Sequence, residues 1–426
     1  MRVLLVTHYF PPEVGAPQAR LSELARYWAT DGVEVTVLTG MPNHPTGTLP
    51  PEYRRAVLRR ERHDGYRVVR TWLYATPNRG LVRKVLGHLS FMVSGVLLGG
   101  WRTGGCDVVV VSSPTFFSIG SAWLLARLRR ARLVVEVRDL WPAIFVELGI
   151  LTNRRVIELL ERLELAAYRA ADTVVVVSEG FRENLLRRGV APSKVTTIRN
   201  GVDVARFAAA SADTAVNRPN GTAVNRPDGT AGTRARLGAA DGETVVLYLG
   251  ALGISQGLPS VAEAAALLRE EPLRFAFVGE GADKPRLVET VARLGVEETV
   301  TVSPAVERDE VPGLLAAADI CLVPLRDVPL FATFIPSKMF EYLAAGKAVV
   351  GAVRGEPRRI LEEAGAVVVD PEDAVALADA LRALAHDPDR RRAMGHRGRQ
   401  YVARHFDRRV LAAEYRDLLR GLVMTP

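Results

Sequence analysis

Short unbroken apolar runs alternate along the chain with stretches whose apolar positions recur every three or four residues. The run Arg2 to Thr7 predicts a buried strand, the stretch from about Gln18 to Thr30 a helix, and Val33 to Leu38, after an Asp31-Gly32 turn, a second strand. Strand, loop, helix and strand within ~30–40 residues is a βαβ unit, whose ligand loops lie at the carboxyl ends of the strands. The same order repeats through Asp107 to Ser112, Leu133 to Val137 and Thr173 to Val177, and ends at Val195 to Ile198. A second series opens at Glu243 to Leu249 and continues through Arg274 to Val278, Val300 to Val302, Ile320 to Pro324 and Ala348 to Val350. Apolar strands alternating with helices predict parallel sheets covered on both faces, so the fold class is α/β.

At 426 residues the chain exceeds one ordinary core, and two domains of about 200 residues are expected. The pattern places one Rossmann-like domain at 1–199 and a second at 200–398, with Arg199-Asn-Gly-Val-Asp203 at the join. Residues 399–426, the end of a basic, amphipathic tail, are expected to cross back as a helix bracing the first domain. Within the second domain Thr214 to Gly221 repeats almost letter for letter as Thr222 to Gly229. Ala, Gly, Pro, Asn and Thr dominate there, so 208–232 is expected to be a flexible insert without a chemical role. Cys106 and Cys321 sit half a chain apart with no metal-type spacing, which reads as two buried thiols in a reducing compartment. Met1 runs straight into a strand without a secretory signal, so the expected location is cytoplasmic.

Charge changes the picture in one place. The net charge is +8, and between Arg54 and Lys84 ten Lys/Arg face only Glu61 and Asp64, a surplus equal to that of the whole chain. Val85 to Trp101 follows, an apolar stretch of 17 residues broken by glycines, a His and two Ser, too short and interrupted to span a bilayer. A basic flank and an apolar stretch fit a segment, 54–101, resting peripherally on the anionic inner face of a membrane. A buried helix beside a solvated basic surface fits equally. No nucleic-acid recognition module accompanies the charge, so nucleic acid is not an expected partner.

Candidate chemistry centres on Phe334 to Gly351. Ser337 reads as an N-cap, Lys338 to Ala345 as helix, and Gly346 as its stop, with Glu341 one turn in on the same face. A hydroxyl, free backbone N–H groups, a lysine and a carboxylate at one helix end can hold an anion beside a hydroxylated group, although an ordinary amphipathic helix would read alike. Gly250 to Gly257, with Gly253 inside it, lies between a strand and a helix as a phosphate-cradling turn would, but lacks a G-x-G-x-x-G or a P-loop lysine. Gly279-Glu-Gly281 ends the next strand. In the first half, Gly15 lies with His8 in the loop after the first strand, either admitting a phosphate or sugar to the backbone or simply turning the chain. Arg138-Asp139 ends another apolar strand at the cleft position, or forms a local ion pair.

The ordered series Pro11-Pro12 with Gly15, Arg138-Asp-Leu-Trp-Pro142, Asn200-Gly-Val-Asp203, Gly250 with Gly253 and Gln256-Gly257, Gly279-Glu-Gly281, and Pro336-Ser-Lys-Met-Phe-Glu341 to Gly346 resembles glycosyltransferase family 4. Within it the series is similar to the branch that builds bacterial O-antigen, capsule and exopolysaccharide, including transferases of the fucosamine and colanic acid type. The likeness covers nearly everything except 208–232. It implies a GT-B fold, two Rossmann-like domains facing one cleft, and transfer with retention at the anomeric carbon. The second domain would take a nucleotide-sugar donor, with uracil the first expectation for the base and guanine the second. The first would take a lipid-linked or saccharide acceptor. Glu341 would hold the donor ribose, and Lys338, Ser337 and the backbone at Gly250 and Gly253 the diphosphate, with Gly15, Gln256 and Gly279 completing the donor site. Lys338, Glu341, Arg138 and Asp139 would stand at the reaction. No metal or other cofactor is expected, because Lys338 and the helix dipole can stabilise the leaving group.

The chain departs from that family in three places. Many relatives carry a sugar-binding Glu where this chain has Thr333, which moves sugar recognition to Phe334, Ile335 or Pro336. Arg and Lys common after the first glycine of the loop are Ala251 and Gln256 here, and a frequent His-Asp pair is Arg138-Asp139. A nucleotide-sugar epimerase or a phosphorylase on the same fold, and a non-catalytic nucleotide-sugar binder, are the rival readings. Paired cleft carboxylates, a cofactor lysine pocket, and binding without turnover would mark them in that order.

Overall fold

The apolar runs become strands of two separate parallel sheets. The computed structural model describes residues 1–13, 15–43, 46–76, 81–112, 116–211 and 229–424. By its internal contacts the chain divides into one unit of Met1–Asn200 with Arg409–Pro426 and another of Gly201–Arg408.

The first unit holds strands β1 (Arg2–Val6), β2 (Glu34–Gly40), β3 (Leu58–His63), β4 (Tyr66–Thr71), β5 (Val108–Ser112), β6 (Arg132–Val137), β7 (Thr173–Val176) and β8 (Val195–Thr197). They form one sheet in the order β3-β4-β2-β1-β5-β6-β7-β8. β1 lies at its centre, with Val3 opposite Val35 on one side and Val108 on the other. Among the described residues only β3 and β4 pair antiparallel in this sheet. The sequence reading treats this stretch as a basic flank, but its Asp64-Gly65 step is a hairpin signal, and both residues take positive φ, 42° and 87°.

Successive strand residues face opposite sides of the sheet. Val37 joins the core beneath helix Ala16–Thr30. Leu38 faces the other way, toward the π-helical segment Gly95–Gly99, where a Cβ on Gly99 would collide with it. That segment continues helix Leu81–Ser94, which packs beside helix Phe116–Arg129, and this in turn beside helix Arg154–Ala170.

The final helix begins at Arg408 and not at residue 399; residues 399–405 finish the preceding helix, Pro388–His405. Phe406 breaks the two apart at φ −136° and stacks on Phe340 with ring centroids 4.5 Å apart. The last helix packs on the first: Trp28 Nε1 donates to the Ala412 carbonyl at 2.9 Å, and the Trp28 and Tyr415 rings meet edge to face at 5.2 Å.

The second unit holds β9 (Thr244–Leu249), β10 (Leu273–Val278), β11 (Val300–Ser303), β12 (Ile320–Pro324), β13 (Ala348–Ala352) and β14 (Val367–Val369), in the order β11-β10-β9-β12-β13-β14, with every pairing parallel. The ends of the 208–232 insert are helical, in Val204–Ser211 and Gly229–Arg236. The rest of it, with nearly all of the tandem repeat, lies outside the described residues. Cys106 and Cys321 are buried and free. Among the described residues no helix is long and apolar enough to cross a membrane.

Candidate active site

At the carboxyl edge of the second sheet, two glycine turns meet. Gly250 leaves β9 at φ 143°, and Gly279 leaves β10 in so close an approach that a Cβ there would run into the Gly250 carbonyl. Gly250 N–H donates to Val278 at 3.0 Å and Leu252 N–H to Glu280 at 2.9 Å, so the two turns are stitched together. Gly253 precedes the short 3-10 turn Ile254–Gln256, which Gly257 ends in the left-handed region at φ 61°. This turn carries Gln256 to Lys338.

Lys338 stands over the Tyr248 ring, its Nζ 3.8 Å from the centroid, and donates to Gln256 Oε1 at 3.0 Å and to the Tyr248 hydroxyl. The Tyr248 hydroxyl donates onward to the Ala251 carbonyl at 2.6 Å. A Cβ on Gly250 would lie 3.4 Å from both Cε and Nζ of Lys338, so the glycine keeps the space over the ammonium open. Lys338 is half-buried, and burial pushes its ammonium down to about 7 while the nearby Glu341 carboxylate pulls the other way.

Helix Ser337–Ala344 presents both residues. Ser337 is its first helical residue and not its cap; Pro336 takes the cap position and makes no side-chain cap bond. Ser337 and Glu341 still fall one turn apart on one face. The opposite face buries Met339, Phe340 and Leu343. Tyr342 fastens the helix to the sheet, its hydroxyl accepting from Leu249 N–H and donating to the Leu249 carbonyl, both at 2.9 Å. Gly346 stops the helix at φ 67°, with Lys347 N–H reaching back to the Tyr342 carbonyl at 3.1 Å. Just before the helix, Thr333 Oγ1 donates to the Leu330 carbonyl at 2.8 Å, and the rings of Phe331 and Phe334 meet edge to face at 5.5 Å. Beside them lies a cavity of about 140 Å³ lined by Leu325, Asp327, Phe331, Ala332 and Arg354 among others.

In the first unit, the candidates share the carboxyl edge of parallel strands β1 and β6, which flank β5. Gly15 is the cap residue of helix Ala16–Thr30 at φ 168°, extended backbone open to any residue. What glycine supplies there is room beside the Gln18 carboxamide. Gln18 is buried, and among the described residues its Oε1 meets no hydrogen-bond donor. Asp139 follows β6; burial raises its carboxyl, opposed by Arg138. Burial would also favour the neutral acid of Glu136, two residues before Arg138, but the charges of Arg20 and Arg138 outweigh it and hold that carboxyl below its ordinary range. Arg20 and Glu136 form a fully buried pair at 2.8 Å, and Arg20 also donates to the Arg199 carbonyl at 3.1 Å.

So the second unit brings Gly250, Gln256, Gly279, Lys338 and Glu341 together with Gly253 and Ser337, and the first sets Gly15 and Arg138-Asp139 along one strand edge. Four residues were missed: Arg20, Glu136, Tyr248 and Tyr342. A Glu inside Leu-Val-Val-Glu-Val and an Arg in an otherwise apolar helix face are visible signals, since a charge in a core position needs a partner. The tyrosines look like any other core aromatic.

Two family models match the chain in sequence: the glycosyl transferase 4-like domain over residues 15–201 and the glycosyl transferases group 1 domain over residues 231–401. The chain is 28% identical to the Escherichia coli colanic acid biosynthesis glycosyl transferase WcaI over 99% of this chain and 100% of that protein. It is 26% identical to a Mycobacterium tuberculosis protein named as a GDP-mannose-dependent phosphatidylinositol monomannoside mannosyltransferase, over 99% and 98%. Among solved structures it resembles the sucrose-phosphate synthase of Thermosynechococcus elongatus, with TM-score 0.74, 20% identity and 100% of both chains covered. It also resembles the Anabaena protein HepE solved with UDP and glucose, with TM-score 0.71, 16% identity and 99% and 100% covered. Both family domains in this order, on two parallel-sheet units, establish that the chain belongs to glycosyltransferase family 4 and is a glycosyltransferase of the GT-B fold.

Proposed function

We propose that the protein moves a sugar from a nucleotide-sugar donor, a UDP-sugar before a GDP-sugar, to a lipid-linked or saccharide acceptor in cell-surface polysaccharide synthesis, with retention and without a metal. The observation that carries this reading is the Lys338 ammonium, held on Tyr248 and Gln256 at the open start of helix Ser337–Ala344. A departing diphosphate there meets a lysine, backbone N–H groups and the positive end of a helix dipole, which together stabilise the charge that grows as the glycosidic bond breaks. The Glu341 carboxylate, one turn along, accepts hydrogen bonds from the ribose hydroxyls. Lys338 also takes over from the cations missing at Ala251 and Gln256, because Gln256 orients it instead of duplicating it.

Thr333 has its hydroxyl turned back to Leu330, so the sugar is met by the backbone from Phe334 to Pro336 and by the small cavity beside Phe331. In the first domain, Arg138 and Asp139 face the acceptor, and the departing diphosphate itself takes the acceptor proton on the same face. Relatives point both ways on the base: HepE was solved with UDP and the mycobacterial protein is named for GDP-mannose. The colanic acid name of WcaI favours an extracellular polysaccharide as the product's destination. The basic and apolar 54–101 segment suits an acceptor carried on a polyprenyl diphosphate in the inner leaflet, with peripheral attachment.

The test is a panel of UDP-, GDP- and dTDP-sugars with lipid-linked and free saccharide acceptors, with and without chelator. Expected are product with one donor, an unchanged anomeric configuration by NMR, and full activity in chelator. Product only with added divalent metal overturns the metal-free reading, and full activity in Glu341→Ala overturns the site. Interconversion of the donor without an acceptor would make the protein an epimerase.

A further inference from the structure

Exposed large apolar side chains are unevenly divided between the two units. Among the described residues all but Leu267, Val288 and Val375 lie in the first. The largest group falls on one layer, helix Leu81–Ser94 with its continuation Gly95–Gly99 and the neighbouring helix Phe116–Arg129, with a smaller one, Val156, Leu159 and Leu163, on helix Arg154–Ala170 beside it. Phe91, Ser94, Gly95 and Gly99 are buried toward the sheet, as are Ser118, Ile119, Ala122 and Leu125 on the second helix. The outward positions recur at helical spacing: Leu86, Val93 and Leu97 on one helix, and Trp123, Leu124 and Leu128 on the other. Trp101, in the turn after them, is 87% exposed. Scattered apolar residues need no explanation, but two adjacent stripes with indoles among them do.

Charge says what covers them. Residues 81–130 contain one carboxylate, Asp107, and it pairs with Arg2 at 2.8 Å. Arg83, Arg102, Arg127 and Arg130 are exposed around the stripes. A second copy of the chain would set these positive charges against their like, which disfavours self-association through this face. An anionic lipid surface complements them, takes up the apolar stripes and suits Trp at the headgroup level. The hairpin that dominates the basic count is a poorer candidate, because much of its charge is used within the fold. Arg70 is buried on Glu61 at 2.9 Å, Arg67 pairs with Glu34, and Arg59 lies over the Tyr53 ring.

We propose that the outer face of helices Leu81–Ser94 and Phe116–Arg129, with Trp101, is the surface by which the protein rests on an anionic bilayer, in place of the β3–β4 hairpin. This deepens the reading of a lipid-carried acceptor and rests on it. The sequence reading stopped at residue 101; helix Phe116–Arg129 completes the face because it packs beside the first.

The experiment is flotation of the full-length protein with vesicles of phosphatidylglycerol and phosphatidylcholine, or of phosphatidylcholine alone. Three proteins are compared: wild type, the triple variant Trp101→Ser, Trp123→Ser, Leu128→Ser, and the hairpin variant Arg60→Ala, Arg62→Ala. Melting temperature and UDP and GDP affinity are measured on the same samples. The wild type is expected to bind the anionic vesicles and largely lose phosphatidylcholine alone. The triple variant should bind anionic vesicles about tenfold or more weakly with unchanged melting and nucleotide affinity, and the hairpin variant should bind like wild type. Equal binding by the triple variant, a larger loss in the hairpin variant, or a wild-type dimer that the triple variant dissociates in sedimentation would each overturn the proposal. Nucleotide affinity reports separately on the transferase reading, so the two can fail independently.

Discussion

Replacing Lys338 by Gln or Met tests the donor site most directly. Its ammonium has three N–H donors, of which Gln256 and the Tyr248 hydroxyl take two, leaving one for a diphosphate oxygen. One hydrogen bond to a charged group is worth about 1.5–3 kcal/mol, so affinity for the cognate nucleoside diphosphate should fall roughly 10- to 150-fold in either variant. The pH dependence is more diagnostic. With the free-protein ammonium at about 7, a bound diphosphate favours the protonated form, so wild-type affinity should weaken as pH rises above 7 and the variants should lack that slope. Stability runs the other way. Between about 7 and 10.5 the unfolded chain holds a proton that the folded one has shed, so this group makes stability rise with pH across that window, its penalty being complete below 7. Lys338→Met should therefore melt higher than wild type at pH 6 and lose the advantage by pH 10. Isothermal titration with UDP and GDP at pH 6, 7, 8 and 9, alongside thermal melts, reads both effects. Wild-type affinity that is flat across this range, or equal in Lys338→Gln, would refute the reasoning.

Tyr342→Phe strips the buried N–H and carbonyl of Leu249 of their partner and should cost about 1–3 kcal/mol in urea unfolding. Because Leu249 adjoins Gly250, the same variant should also weaken nucleotide binding, measured by titration. Gly279→Ala forces a Cβ into the Gly250 carbonyl and should destabilise the second domain by more than about 1 kcal/mol and weaken donor binding, while Gly295→Ala, a positive-φ site with open space around it, should cost stability alone. Arg20→Met leaves Glu136 charged, buried and without its main partner, and should cost about 3–5 kcal/mol. Its loss should shrink in the double variant Arg20→Met, Glu136→Leu, as read by chemical denaturation, and an additive double variant would mean the pair does not act as one.

Most of the strands were legible because buried parallel strands leave unbroken apolar runs, and β1, β5, β9 and β12 were each found within a residue or so at either end, whereas their order in the sheets rests on contacts between distant residues. β3 was not, since an edge strand reading Leu-Arg-Arg-Glu-Arg-His shows charge where period-two apolarity is the signal. The helix at Ser337 was found by its glycine stop, while its start was mistaken by one position, because Pro336 and Ser337 both suit a helix opening and only the backbone dihedrals separate cap from first turn. The break at Phe406 left no local trace: the residue departs from helix to stack on Phe340, a contact between positions far apart in the chain.

Tyr248 explains how the proposed donor site does without the family's cations at Ala251 and Gln256. Two cations at positions 251 and 256 would each have to be held near the diphosphate before it arrives, at a cost in mutual repulsion. The Ala251 backbone carbonyl accepts the Tyr248 hydroxyl, as it would with any side chain there, whereas the amide at 256 accepts from Lys338, so the change at 256 serves to aim one lysine. The Tyr248 ring beneath that lysine adds a negative π face to the nearby Glu341 carboxylate in steadying the cation. Burial then holds the lysine at about 7, so that on the proposed reading a bound diphosphate would draw it to the fully protonated form. Restoring a cation by Gln256→Lys should therefore not strengthen donor binding: it would remove the acceptor that orients Lys338 and set a like charge beside it.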